Sequence, residues 1–396
     1  MSAMAALSVS VHTSILEIPC ENWNALLTQQ DSPFVDWRFL AALEQSGCVA
    51  PETGWTPCHL AVHRGADLVA VAPAYLKESS DGDFSRDWDW AAAAERAGIP
   101  YYPKLVFGIP FTPVTGRRIL TPQGMSNTDA ESIFERVIAA GKELVRRHGL
   151  GALQVLFLPD SQLHGLVAQG LCPRIDFQYH FVNPGYPSCE AFYARFSSKR
   201  RNVLRREMAA PAAQGITIQT LRYEQCKSQL SHYAALAHTL HSSTVEKLVW
   251  GRRWLNARFY SQLFEAMPEP LELVLAYREG NVIAGAFNVA SVDRLFGRYW
   301  GCLEETPFLH FNVCLYHSIA ECIERRTAVF EGGAGGEHKI ARGFEPVEMH
   351  SAHYFAHPGF GSALQRHLQT ETENRRRAVA NWRQTEAILK PWPLRS

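Results

Sequence analysis

Apolar positions along the chain recur with two periods, one near 3.6 residues and one of two, and the periods alternate. Asp129 to His148 places Ile133, Val137, Ile138 and Leu144 on one side, the spacing of an amphipathic helix. Trp37 to Ser46 has the same spacing and stops at Gly47. His59 to Tyr75 reads as two strands about the turn Arg64-Gly65-Ala66-Asp67, a hairpin. Glu78 to Gly98 is unusual, because acids and tryptophans alternate through Asp87-Trp88-Asp89-Trp90 before an alanine-rich helix. Pro100 to Pro122 is rich in proline and glycine and predicts a loop with short extended pieces. Ala152 to Leu158 is an unbroken apolar run, a buried strand, followed by a short helix over Ser161 to Gln169.

The second half repeats this grammar. Phe192 to Ala210 predicts a basic helix, Ile216 to Leu221 a strand, and Cys226 to Ser242 and Trp254 to Met267 two more helices. Leu271 to Tyr277 and Val282 to Ala290 pair as strands about Arg278-Glu279-Gly280-Asn281, and Leu295 to Gly301 extends the meander. Phe308 to Arg326 is a helix, and Val329 to Gly333 and Met349 to Ala356 are strands. Ser362 to Leu389 is a closing helix, with Leu364, Leu368, Val379 and Trp382 near one face, expected to brace the body. Each half thus offers a hairpin, a long helix, a buried strand and a further helix. The expected architecture is α/β with two similar tandem units, 1–175 and 176–360, and a helix with tail over 361–396.

Composition narrows the function classes. The 396 residues are 46% apolar and 20% charged, enough for buried cores and unlike a disordered chain. Lys+Arg and Asp+Glu both count 39, so net charge alone will not hold a polyanion, although a local basic patch can. The first basic residue is Arg38, and no uncharged apolar run reaches the length of about 18 residues that a membrane span needs. The 9 cysteines include no C-x-x-C pair, and an odd number cannot all pair internally. A reducing, cytoplasmic setting without a membrane span is expected; oligomeric state is open.

Two segments carry candidate chemistry. In Ser197-Ser198-Lys199-Arg200-Arg201-Asn202-Val203-Leu204-Arg205-Arg206, a serine can cap a helix whose first turn holds three consecutive cations. Those cations oppose the helix dipole and repel one another, and a docked phosphate would reverse both penalties. The second segment is Glu331-Gly332-Gly333-Ala334-Gly335-Gly336-Glu337-His338-Lys339-Ile340-Ala341-Arg342. Its glycines, Gly332, Gly333, Gly335 and Gly336, allow close backbone approach to a donor molecule. Lys339 and Arg342 follow as cations, and Glu337 and His338 as acid–base groups. The Walker spacing is absent, which disfavours an NTPase. Arg146-Arg147-His148-Gly149-Leu150-Gly151 mimics a coenzyme A pyrophosphate loop, but it ends a helix instead of preceding one, so a helix cap is expected. His350, His353 and His357, and the pair His238 and His241, lack the arrangement of a metal site, and no metal is expected. No G-x-S-x-G supports a serine hydrolase.

Several longer motifs now combine. They are D-W-x-W, E-R-A-G-x-x-Y-Y-P-K-L and P-F-T-P-V-T-G between Ser79 and Gly116, S-K-R-R-N-V-L-R-R-E at 198–207, F-G-R-Y-W-G-C at 296–302, P-F-L-H-F at 307–311, G-E-H-K-I-A-R-G-F at 336–344 and H-S-A-H at 350–353. From about residue 10 to 375 the chain resembles the bacterial FemAB-like acyltransferases, a GNAT-related family labelled as peptidoglycan biosynthesis or recognition proteins. The resemblance implies two tandem acetyltransferase-like domains and transfer of an amino acid from aminoacyl-tRNA to a peptide amine. It implies no bound cofactor, with the tRNA acceptor end as a partner. Ser197, Lys199, Arg201 and Leu204 match the family's basic helix, and Gly332, Gly333, Lys339, Gly343 and Phe344 match its Gly-Gly, lysine and G-F elements. The chain departs from some members in lacking a coiled-coil arm.

On this reading Lys339 stabilises the oxyanion or the leaving 3′-oxygen, and Glu337, His338 or Glu304 acts as base. Lys199, Arg201, Arg205 and Arg342 hold phosphate or other substrate groups. Asp87, Trp88, Asp89 and Tyr102 line an acceptor cleft, with Lys104 and Arg298, which stand in two of the matching motifs, also on the substrate. The alternatives are an acyl-CoA or acyl-carrier-protein transferase and a non-catalytic module that binds cell-wall precursors.

Overall fold

The computed structural model describes residues 6–245, 253–386 and 388–390. Its contacts divide the chain into two units, residues 1–176 with 348–377, and residues 177–347 with 378–396.

In the first unit, Trp55–Pro57, Ala74–Lys77, Lys104–Phe107, Ala152–Leu158 and the end of Glu345–Phe355 lie side by side in that order. A separate sheet joins Leu7–His12, His59–Arg64 and Asp67–Ala72. The hairpin expected about Gly65 is present, pairing Leu60 with Ala72 and Arg64 with Asp67. Pro73 then interrupts the ladder, since it has no N–H to donate, and Ala74 opens a strand in the other sheet. The helix Asn127–His148 connects Lys104–Phe107 to its parallel neighbour Ala152–Leu158, burying Ile133, Val137, Ile138, Gly141 and Val145. Ser126 caps its start by accepting the Asp129 N–H, and Gly149 ends it at φ 64°, a conformation that a side chain disfavours. Arg146 and Arg147 pair with Glu143 on the same helix. The Arg146–Gly151 segment is therefore a helix terminus.

In the second unit the order is the end of Cys172–Val182, then Val329–Glu331, Arg294–Cys302, Asn281–Ala290, Leu271–Arg278 and Ile216–Leu221. The expected meander is present, and Arg294–Cys302 also pairs in parallel with Val329–Glu331 beyond a helical crossover. Each unit thus holds two parallel strands joined by a helix. Local pattern did not reveal Cys172–Val182, in which Arg174, Asp176, Gln178 and His180 interrupt the apolar residues.

The second unit closes with a strand from its own start, and the first with one that returns from far along the chain. His180, Phe181 and Val182 pair with Glu331, Phe330 and Val329, whereas residues 350–355 pair with Ala152–Leu158. The division therefore differs from the expected linear cuts, because residues 348–377 return to the first unit. The closing helix runs Pro358–Asn381, earlier than expected; Leu364 and Leu368 bury against Trp90, Tyr101 and Phe355. Residue 387 of the expected helix, and 391–396 of the tail, lie outside the described residues.

Two expected helices are broken. The basic helix divides into Cys189–Tyr193 and Ser198–Ala209, because Ser197 accepts the Arg200 N–H and starts a new helix. The crossover is Leu309–Phe311, a π-turn over Asn312–Tyr316, and His317–Glu324.

Candidate functional site

The parallel pair of the second unit lasts three residues, from Arg294 opposite Val329 to Phe296 opposite Glu331. Beyond that point Gly297–Cys302 continues along Asn281–Ala290, while the chain after Glu331 turns away through the glycine segment. Two parallel strands that separate leave a wedge for an extended ligand. The first unit has the same arrangement, and its strands separate after Phe107 and Val155. There the wedge is filled. Fully buried Arg118 donates from Nε to the Leu156 carbonyl at 2.9 Å, from Nη2 to Val114 at 2.6 Å and from Nη1 to Gly116 at 3.0 Å. The candidate site is accordingly the wedge of the second unit.

Gly333, Gly335 and Gly336 have φ of 81°, 76° and 89°, which only glycine adopts without strain. This curvature turns the Gly333 and Gly335 carbonyls onto Lys339, whose Nζ donates to each at 2.7 Å. Lys339 is 5% exposed, and burial pulls its ammonium down to about 8. The glycine loop, expected to face a donor, here embraces the lysine.

Other titratable groups surround it. The exposed His338 ring lies 6.0 Å from His310 and 5.5 Å from Phe311, centroid to centroid. Burial, reinforced by Lys339 and Arg342, lowers His338, and burial with His338 and those cations takes His310 to about 4. His180 is buried 3.9 Å from Glu331, and burial with the Arg294 and Lys339 charges takes it to about 3. Arg294 pairs with Glu331 at 2.8 Å. These imidazoles are neutral near pH 7, and His338, the exposed one, is the one open to a substrate amine. Sequence reasoning missed His180, His310 and Glu331. His310 stands inside the 307–311 motif and Glu331 opens the glycine-rich segment, whereas His180 lies on the strand that local pattern did not reveal.

The remaining candidates divide. Glu337 is exposed beside Lys339 in the chain. Glu304 is exposed and taken by Arg278, so its carboxylate is engaged outside the Lys339 cluster. Arg298 lies beyond the point of separation with its guanidinium 5.4 Å from the Tyr299 ring. Lys199 and Arg205 are exposed on Ser198–Ala209, as a phosphate contact requires. Arg201 is not a free surface cation; it turns back to donate to the Phe196 carbonyl at 2.6 Å and the Ser198 hydroxyl at 3.1 Å. Arg342 is not on the surface either. It is 5% exposed, pairs with Glu207 at 2.7 Å and lies 3.4 Å over the Phe311 ring, so its charge is paired internally.

The expected acceptor group in the first unit is corrected likewise. Asp87 and Lys104 are fully buried, with Lys104 Nζ 2.7 Å from Asp87 and 2.8 Å from Asp83. Tyr101 and Gln154 donate to Asp87 at 2.5 and 2.6 Å, and Ser80 and Ser85 donate to it as well. Burial would raise Asp87, but the Lys104 ammonium and these donors hold it well below the usual carboxylate range. Asp87 and Lys104 are thus engaged with each other and their neighbours inside the protein. Trp88 and Asp89 are exposed in the first turn of Trp88–Arg96, and Tyr102 is half-buried, sharing a 2.7 Å hydrogen bond with Ser80.

No group of three or more His, Cys, Asp or Glu side chains stands together as metal ligands among the described residues. His350 pairs with Asp160 at 2.9 Å, and His353 bonds Ser351 at 2.8 Å.

Comparison with solved structures extends this fold. The C-terminal domain of a protein described as a lysylphosphatidylglycerol synthetase from Agrobacterium fabrum is 11% identical, with TM-score 0.52 over 89% of this chain and 96% of that one. FemX is also 11% identical, with TM-score 0.52 over 90% of this chain and 100% of that one. Both likenesses agree with an α/β fold of two tandem acetyltransferase-like units. No curated protein matches the chain by sequence. A family model covers residues 14–390, nearly the whole sequence, and the chain belongs to the FemAB-like family, described as peptidoglycan biosynthesis/recognition.

Proposed function

We propose that the chain is an acyltransferase that makes an amide by moving an aminoacyl group from aminoacyl-tRNA to an amine of a peptide or small molecule. The observation that carries this reading is the wedge of the second unit, bordered by a buried ammonium and neutral imidazoles. The attacking amine must be neutral, so its proton passes to a base, for which neutral His338 is the best placed on Lys339's own turn. The C–N bond forms as the ester C–O bond breaks, and the departing 3′-oxygen takes up a proton. Lys339, protonated at pH 7, supplies positive charge for the oxyanion.

A coenzyme A donor fits less well. Its pyrophosphate would be held at the start of the crossover helix, where Glu304 and Glu305 precede Phe308, which is at φ 63°. Glu304 is engaged there by Arg278, and that start carries acids where a diphosphate calls for free donors. The exposed cations Lys199 and Arg205 suit a nucleic-acid backbone instead. No described helix is long and apolar enough to cross a membrane.

Incubation with charged tRNA, acyl-CoA and acyl carrier protein in parallel, with mass spectrometry of an amine library, should give transfer from charged tRNA. Transfer from acyl-CoA alone would overturn the donor assignment, and tight precursor binding without transfer would favour a binding module. Donor affinity should fall with salt. Lys199→Ala with Arg205→Ala should reduce the slope of log affinity against log salt by about 1.4, roughly 0.7 per single-strand phosphate contact. An unchanged slope would return this helix to an ordinary solvated surface.

A further inference from the structure

We propose that Glu207 and Arg342 are positioning residues that tie the basic helix to the turn carrying Lys339, so that the two move as one piece. The inference rests on the catalytic reading of Lys339 and assigns the charged pair that holds it.

Glu207 and Arg342 are 135 positions apart and both buried. The Glu207 carboxylate accepts Arg342 Nη2 at 2.7 Å and the Tyr316 hydroxyl, and its main-chain carbonyl accepts Asn312 Nδ2 at 2.9 Å. Asn312 and Tyr316 are the first and last residues of the π-turn, an irregularity that brings both polar side chains to Glu207. From the other side, Arg342 Nη1 donates to the His338 carbonyl at 2.9 Å, across the turn that contains Lys339. Arg200, on the basic helix, adds a 2.8 Å bond to the Ala341 carbonyl. The turn Glu337–Arg342 is thus fixed at its far end by the helix, and at Lys339 by the glycine carbonyls.

A buried ion pair with this many partners is more than packing needs, since apolar residues of similar volume serve a core as well. Its placement between a helix bearing exposed cations and a buried lysine gives it a use. A phosphate held by Lys199 or Arg205 would then sit at a fixed distance from the Lys339 ammonium. The charged and titratable groups near that ammonium are the Cys314 thiol, His180, His310, His338 and Arg342. None of them is substituted in the test. Glu207→Gln leaves the Arg342 charge unpaired, which opposes an upward shift, whereas Tyr316→Phe keeps that pair and reads the loosening alone.

The test is Glu207→Gln, which keeps shape and hydrogen bonding but removes the charge that holds Arg342. Lys339 ionisation is read from the side-chain Cε and Nζ resonances of protein labelled with ¹³C,¹⁵N-lysine, assigned with Lys339→Arg. In the unaltered chain it should titrate near 8. In Glu207→Gln it should move upward toward the ordinary ~10.4 as the turn loosens and water reaches Nζ, with turnover falling about tenfold or more and donor KM changing less than about twofold. Tyr316→Phe removes one donor to Glu207 without touching charge and should move the titration the same way by less. This second variant decides the matter where Glu207→Gln does not fold. An unmoved Lys339 titration in folded Tyr316→Phe overturns the tie. A moved titration with unchanged transfer keeps the tie and removes Lys339 from catalysis, so the two readings fail separately.

Discussion

Lys104→Met should destabilise the protein by about 3–5 kcal/mol, the range for removing one partner of a buried ion network. Lys104 has no exposed surface and lies between Asp83 and Asp87, so its loss leaves two carboxylates in an apolar interior. The carboxylates are not equivalent. Asp87 is held low by Lys104 and four side-chain donors, whereas burial pushes Asp83 up despite the same lysine. A depressed carboxylate stabilises the fold above its unfolded value of about 3.9, and that contribution is lost as pH falls through the folded value. A raised carboxylate does the reverse, and its cost is relieved on acidification. Asp87→Asn should therefore cost far more than Asp83→Asn at pH 7. Unaltered protein should hold its stability from pH 7 to about 4 and lose it below. Urea midpoints across this range measure both effects, and equal costs for the two asparagine variants would refute the inequivalence.

Lys339→Met should lower turnover about 10²–10³-fold, roughly 3–4 kcal/mol, with a much smaller change in substrate affinity. The expectation follows from a buried ammonium at a wedge where charge develops only during transfer. Because its titration is near 8, the charged form is lost as pH rises, and turnover should decline above about pH 8. Lys339→Arg should abolish that decline, since guanidinium keeps its charge, yet rescue rate poorly. Nζ fits between two carbonyls at 2.7 Å, a geometry a planar fork does not reproduce. Single-turnover transfer with thermal melts makes the measurement. Near-native turnover by folded Lys339→Met would end the assignment, and Arg342 is no longer a substitute because Glu207 engages it.

Local pattern determined a good part of this molecule. The period of the Asn127–His148 helix, the hairpin turns at Gly65 and Gly280 and the cap at Gly149 depend on neighbours within four residues, so they are legible in a window of that length. The glycine-rich segment and Lys339 were legible for the same reason, as were the motifs that carry the family.

Tertiary structure decided what those residues do. Asp87, Trp88 and Asp89 were expected to line one cleft, but a helix begins at Trp88, and a 100° step per residue turns Asp87 and Trp90 inward while Trp88 and Asp89 face water. Arg118 filling one wedge, and Glu207 meeting Arg342 across 135 positions, depend on which strands become neighbours. The return of residues 348–377 to the first unit is of the same kind, since Ala152–Leu158 carries no mark that its partner lies near 350. Burial and charge pairing are set by the whole packed chain, so the same Lys or Arg that reads as a surface cation becomes an internal tie once its partner arrives from far along the sequence.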